Sequence, residues 1–231
     1  MSKNGFVNIV FVIDESGSMT GIETDVIGGF KRVIDEQREN KDGSCSISYY
    51  KFNSNVTEVY RGIDVREVDY IDDDYRPGGC TALFDAVGTA INNIKNWIND
   101  IDEDERPEKN VVVVMTDGEE NSSREYSASK VKEMIKEMED EYNWTFVYMG
   151  SDVRDAKDAN SLGFANKMYS SKASYMSNYD LINASVTSYR CSTLTGEAKD
   201  LAFTSTLSEN CKNITKEYAN ENNLNVNDLL S

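Results

Sequence analysis

At 231 residues, the chain is long enough to bury a full core as one large domain, or as one domain with a short appendage. Its 24 basic against 41 acidic residues leave a formal net charge of −17, a balance unsuited to nucleic acid, where basic groups must replace condensed counterions. There is no histidine, and Cys45, Cys80, Cys191 and Cys211 form no close pair, which disfavours a Cys/His zinc site and points to reduced thiols, with a Cys191–Cys211 staple as the alternative.

The N-terminal segment MSKNGFVNIVFVID lacks the charged, apolar and cleavage regions of a signal peptide in order. No stretch approaches the ~20 apolar residues of a membrane span. The expected setting is therefore cytoplasmic, with no membrane contact. The first apolar run, 6–13, is nearly continuous, as a strand buried on both faces should be. It leads directly into Asp14-Glu15-Ser16-Gly17-Ser18.

Segment 21–40 carries an apolar stripe of helical period through Val26, Phe30 and Val33. Residues 44–62 alternate on either side of Asn53-Ser54-Asn55, which predicts a hairpin. A glycine-rich turn then delivers Thr81 to the start of a helix over 81–100. The valine run 110–116 predicts a second buried strand ending at Asp117, followed by a helix over 127–142. A strand over 144–150, a helix around 152–161, a short strand over 165–170 and a helix over 174–190 complete the pattern. From 191 to 231 the chain turns polar and weakly periodic, and reads as a partly helical C-terminal appendage with disorder as the default for its last ten residues.

This alternation predicts an α/β domain over 1–190: a doubly wound, mostly parallel open sheet with one antiparallel edge strand and helices on both faces. Ligands of such sheets bind beyond the carboxyl ends of the strands, where the strand order reverses. With the first and valine-rich strands adjacent there, Asp14, Ser16, Ser18, Thr81 and Asp117 converge from three loops. All five offer hard oxygen donors, which suit Mg²⁺, with Mn²⁺ or Ca²⁺ as alternatives. Two carboxylates and three hydroxyls leave such an ion under-neutralised, with a position open to an incoming carboxylate. Taken singly, Asp14, Ser18 or Thr81 is as well explained as a helix N-cap.

The order Asp14-x-Ser16-x-Ser18, then Thr81 in GGCTALFDAV, then Thr116-Asp117-Gly118 after a valine run, resembles the von Willebrand factor A-type domain. The likeness covers roughly residues 5–170, or to about 190 with the last helix, and has that family's metal-ion-dependent adhesion site pattern. It implies a Rossmann-like fold, with Ser16, Ser18 and Thr81 as direct ligands and Asp14 and Asp117 acting directly or through water. Asp85 would support the site rather than ligate. It further implies a protein partner that supplies an Asp or Glu carboxylate. Cys80, before Thr81, departs from the pattern without disturbing it.

Other acidic runs read as solvated loops. Asp100, Asp102 and Asp104 have the alternate spacing of a calcium loop, but Glu105 and Val111 stand where Gly and a bidentate Glu are needed. Asp72, Asp73, Asp74 and Glu119–Glu120 lie on the side expected to bind, where they would lend the rim a negative field. An enzyme is disfavoured: no phosphate-binding GxxxxGK[ST] loop exists, and without histidine there is no Ser-His-Asp triad. Haloacid-dehalogenase-type phosphotransferases need a second Asp where this chain has Ser16. The expected function is a metal-dependent protein-binding module. An adaptor acting through its tail or acidic surface, and a metal-dependent hydrolase, are the alternatives.

Overall fold

The computed structural model describes residues 5–69, 75–151, 156–171 and 174–230. Strand β1 (Phe6–Asp14) leads to helix α1 (Glu23–Glu39), and β2 (Ser44–Phe52) and β3 (Val56–Asp64) form the hairpin. Then come α2 (Leu83–Asp100), β4 (Lys109–Met115), α3 (Ala128–Tyr142), β5 (Thr145–Gly150), α4 (Ala156–Leu162), β6 (Asn166–Tyr169) and α5 (Tyr175–Cys191). The tail folds as α6 (Gly196–Glu221) and α7 (Val226–Leu230).

The strands lie in the order β3-β2-β1-β4-β5-β6. All neighbours are parallel except the β2–β3 hairpin, so the antiparallel strand is the predicted edge strand. β1 pairs with β2 on one side and β4 on the other, which sets the order reversal between β1 and β4.

Both faces of the sheet are covered, which is why the central strands are continuously apolar. Val7, Ile9, Phe11 and Ile13 face one cluster with Phe30 of α1 and Tyr179 of α5, and Val10 and Val12 face another with α2, α3 and α4. Burying side chains of this size contributes roughly 1.5–3 kcal/mol each. Gly29 admits the close approach of α1 and α5: a Cβ there would lie 2.0 Å from the Tyr179 ring.

Helix α6 explains the weak periodicity of the tail. Its buried residues, Lys199, Phe203, Leu207, Cys211, Thr215 and Ala219, recur every fourth position. Four residues advance a helix by about 400°, so the buried stripe drifts ~40° per step and about 200° over its length. The helix thus turns opposite sides inward at its two ends. Phe203 and Leu207 join the cluster that includes α5, with Phe203 edge-on to Tyr189 at 5.3 Å, whereas Ala219 joins the cluster on the other face. Between them Thr215 bonds the outer edge of β6, accepting from Tyr169 N at 3.2 Å and donating to Lys167 O at 3.0 Å.

The start of α6 is tied to the amino ends of the strands. Lys199 Nζ lies 3.0 Å from Glu108, whose carboxylate also accepts from Gly5 N at 2.6 Å. Buried Lys109 donates to Asn143 O at 2.8 Å and sits 3.4 Å from Asp200. Asp100, Asp102 and Asp104 are exposed at this same end, since β4 begins in register with the start of β1. Glu108, by contrast, is not simply solvated: it is one half of an ion pair with a buried lysine. All four cysteines are free, with Cys191 exposed and Cys211 buried, so no bridge staples the tail.

Candidate metal centre

Register brings the ends of the two central strands together. Ile13 pairs with Met115, so β1 and β4 end side by side and their next residues, Asp14 and Thr116, meet. Asp14 is fully buried; its Oδ1 accepts from Ser16 N at 2.6 Å and its Oδ2 from the Thr116 hydroxyl at 2.6 Å. Burial pushes the Asp14 carboxyl up to about 6; the bonds from Thr116 and Ser16 oppose this, and the nearby Asp117 charge adds to it. A short 3₁₀ turn over Gly17–Met19 then carries Ser18 Oγ to 3.0 Å from Ser16 Oγ.

Thr81 arrives on a segment held from two sides. Toward β1, Tyr75 OH donates to Asp14 O at 2.6 Å, Gly78 N to Glu15 O at 2.8 Å, and Gly17 N to Gly79 O at 3.1 Å. Gly79 has φ of +85°, a conformation that favours glycine. Beneath it the hairpin turn is a platform, with Cys80 N donating to Ser54 Oγ and Ala82 N to Asn53 O. Toward β4, Thr81 N donates to Asn121 Oδ1 at 2.9 Å, and Thr81 O accepts from Asn121 N at 3.0 Å.

Two carboxylates complete this second clamp in opposite directions. Glu120 reaches from the β4–α3 loop to accept from Phe84 N in the first turn of α2 at 3.0 Å. Asp85 reaches back from α2 to accept from Arg124, Glu125 and Tyr126 N at 2.8–2.9 Å. Asp158, on α4, accepts from Glu120 N at 2.8 Å. Asp85 therefore supports the site, as the resemblance implied, by fixing the loop that bears Asp117.

The oxygens meet over Gly118. A Cβ at that residue would lie 2.9 Å from Ser18 Oγ, 2.9 Å from Thr81 Oγ1 and 3.5 Å from Asp14 Oδ2. Only a glycine leaves this cradle clear. It opens into a cavity of ≈ 270 Å³ lined by Ser16, Ser18, Thr81, Asp117, Glu119 and Asn121, among others. All five predicted residues are thus brought to one place, with Asp14 at its floor. Among the described residues, no three His, Cys, Asp or Glu side chains gather as a metal-binding group. The centre is a mixed set of hydroxyls and two carboxylates, a donor set that fits a small hard cation better than a soft one.

The rim differs from expectation. Glu119 is exposed at the cavity, but the Glu120 carboxylate is occupied by Phe84 N, Ser122 N, Ser123 N and the Ser123 hydroxyl, so it builds the loop rather than charging the surface. Asp72, Asp73 and Asp74 lie outside the described residues. Sequence reasoning missed Glu15, Thr116, Glu120, Asn121 and Asp158 as supporting residues. For Thr116 a signal was present: a hydroxyl at the end of a buried strand, one residue before a predicted site acid, needs a partner.

A family model for the von Willebrand factor type A domain matches residues 8–187. No curated protein matches the chain. Among solved structures, the vWF domain of the type V pili tip protein Mfa5 from Porphyromonas gingivalis has a TM-score of 0.59 at 12% identity, over 83% of this chain and 98% of that one. A von Willebrand factor type A protein from Catenulispora acidiphila has 0.56 at 17%, over 80% and 43%. Proximal thread matrix protein 1 of the mussel byssus, with a zinc-occupied MIDAS motif, has 0.53 at 17%, over 79% and 46%. The chain therefore spans less than half the length of the last two. With the family model covering most of its length and the six-stranded mixed sheet matching in topology, the chain belongs to the von Willebrand factor type A domain family.

Proposed function

We propose that the chain is a metal-dependent protein-binding module in which Mg²⁺, held by Ser16, Ser18 and Thr81, with Asp14 and Asp117 acting directly or through water, accepts a carboxylate from a protein partner. The observation that carries this reading is the meeting of the Ser18, Thr81 and Asp14 oxygens over Gly118, at the mouth of an open cavity. The bound ion would supply positive charge that two carboxylates and neutral hydroxyls only partly offset, and a partner's Asp or Glu would complete it. An all-oxygen donor set favours Mg²⁺ over zinc. The zinc-occupied motif of the byssus protein supports a divalent ion at this constellation. Neighbours named as a pilus tip and a byssal matrix protein support binding over turnover. Free thiols, two of them exposed, support a reducing, cytoplasmic setting.

The test is calorimetric titration of Mg²⁺ into wild type, Asp117→Ala and Ser16→Ala, followed by partner capture in Mg²⁺ and in EDTA. Saturable uptake lost in both variants, with capture lost in EDTA and melting temperature in EDTA retained, is the expected result. Capture indifferent to chelation and to both substitutions would refute the proposal.

A further inference from the structure

We infer that Glu15 is a positioning residue of the metal centre: it fastens the segment bearing Thr81 to the Asp14–Ser18 loop, so that the ligands from both loops assemble as one unit. The inference rests on the metal-binding reading above. Glu15 lies between two site residues, yet its carboxylate turns away from the cradle and is 7% exposed as a residue. Its Oε1 accepts from Arg76 N, at the start of the Thr81 segment, and lies 3.5 Å from Lys51 Nζ. The two side chains of this pair are only 9% and 13% exposed.

The backbone of Glu15 makes the same connection. Its N–H donates to Phe52 O at 2.6 Å and its carbonyl accepts from Gly78 N at 2.8 Å. Phe52 ends β2, and Lys51 precedes it, so Glu15 ties three pieces together: the β1 loop, the end of β2 and the Thr81 segment. A buried carboxylate is costly unless paired and hydrogen-bonded, and this one has both a lysine and a backbone N–H. Sequence spacing cannot reveal this role, because Arg76 is 61 residues away.

Three explanations of Glu15 give different outcomes. As a positioning residue, it needs an acceptor oxygen at Oε1 but not a charge. As a source of negative potential for the cation, it needs the charge. As a merely structural residue, it affects stability and leaves metal affinity alone.

The experiment is Mg²⁺ calorimetry on the full chain as wild type, E15Q, E15A and K51M, with melting temperatures in EDTA. Positioning predicts that E15A weakens Mg²⁺ binding by roughly 10–100-fold, as for lost partners of metal ligands elsewhere, while E15Q stays near wild type. K51M should also weaken binding, because a carboxylate left charged and buried without its lysine turns out to solvent and releases Arg76 N, a penalty that neutral E15Q escapes. By Coulomb's law alone, removing a positive charge near a cation would tighten binding. E15Q as weak as E15A, or E15A and K51M as tight as wild type, would overturn the inference. Should E15A fail to fold, K51M against E15Q makes the same comparison. A wild type that takes up no Mg²⁺, Mn²⁺ or Ca²⁺ rejects the metal-binding reading itself and this inference with it, an outcome visible before any variant is compared.

Discussion

Thr116 donates its hydroxyl to Asp14 Oδ2 at 2.6 Å, linking the ends of the two central strands at the point where strand order reverses. The Thr116 hydroxyl oxygen in turn accepts from Gly118 N at 3.1 Å, so one side chain orients both the buried acid and the glycine beneath the site. Thr116→Val keeps the shape and β-branching but removes the hydroxyl, leaving a buried carboxylate short of a donor. It should cost about 1–3 kcal/mol in urea denaturation. Mg²⁺ affinity measured by calorimetry should fall with it, and Thr116→Ser should restore both.

Gly118→Ala separates the site from the fold. Gly118 is not among the positive-φ residues, so alanine can adopt its backbone conformation. The new methyl is too close to the ends of the Ser18 and Thr81 side chains, at 2.9 Å, and those can rotate aside, while Asp14 Oδ2 at 3.5 Å is in ordinary contact. Doing so turns their oxygens out of the cradle. Thermal melts in EDTA should show stability unchanged or raised by ~0.4–1 kcal/mol, because alanine narrows the unfolded ensemble. Calorimetry on the same protein should show no saturable Mg²⁺ uptake.

The uneven legibility of the sequence has a physical basis. Val111–Met115 read as a strand because it is buried on both faces, and Asp14 and Asp117 stood out because an acid directly follows such a run. The supporting carboxylates are harder to read for the opposite reason: Asp85 is reached only through the family resemblance and Glu120 not at all, because both bond backbone N–H groups some 40 positions away, and any residue type supplies an N–H. Helix α6 was dim because its inward positions include Lys199, Cys211, Thr215 and Ala219, and because a stripe that drifts around the helix has no fixed apolar face.

Glu139, on α3, gives the chain a pH dependence that does not involve the metal centre. Burial pushes its carboxyl up to about 7, helped by Asp140 and opposed by Lys109 and Lys136. Between the ordinary glutamate value of 4.5 and about 7, the folded state keeps this proton while the unfolded state releases it. The folded state binds more protons there, so Glu139 makes stability fall as pH rises through that window. Glu139→Gln should flatten the decline by about 1 kcal/mol after allowance for solvent screening. Urea midpoints at pH 4.5 and 7.5 in EDTA measure it, and the difference between the two proteins cancels the titration of Asp14.

Removing residues 192–231 should destabilise the domain rather than merely shorten it. That segment brings Phe203, Leu207 and Cys211 into one core cluster and Ala219 and Leu229 into the other. It also satisfies the outer edge of β6 through Thr215, and an uncovered edge strand invites pairing between chains. The truncated protein should therefore aggregate or melt well below wild type by circular dichroism. Leu207→Ala, which empties a fully buried site without shortening the chain, should cost about 2–5 kcal/mol. Loss of partner capture on truncation would then reflect the collapse of the sheet that holds Asp14 and Asp117, not a docking role for the tail. A docking role requires the opposite pattern: capture lost on substituting an exposed α6 residue such as Leu201, with Mg²⁺ uptake and melting temperature intact.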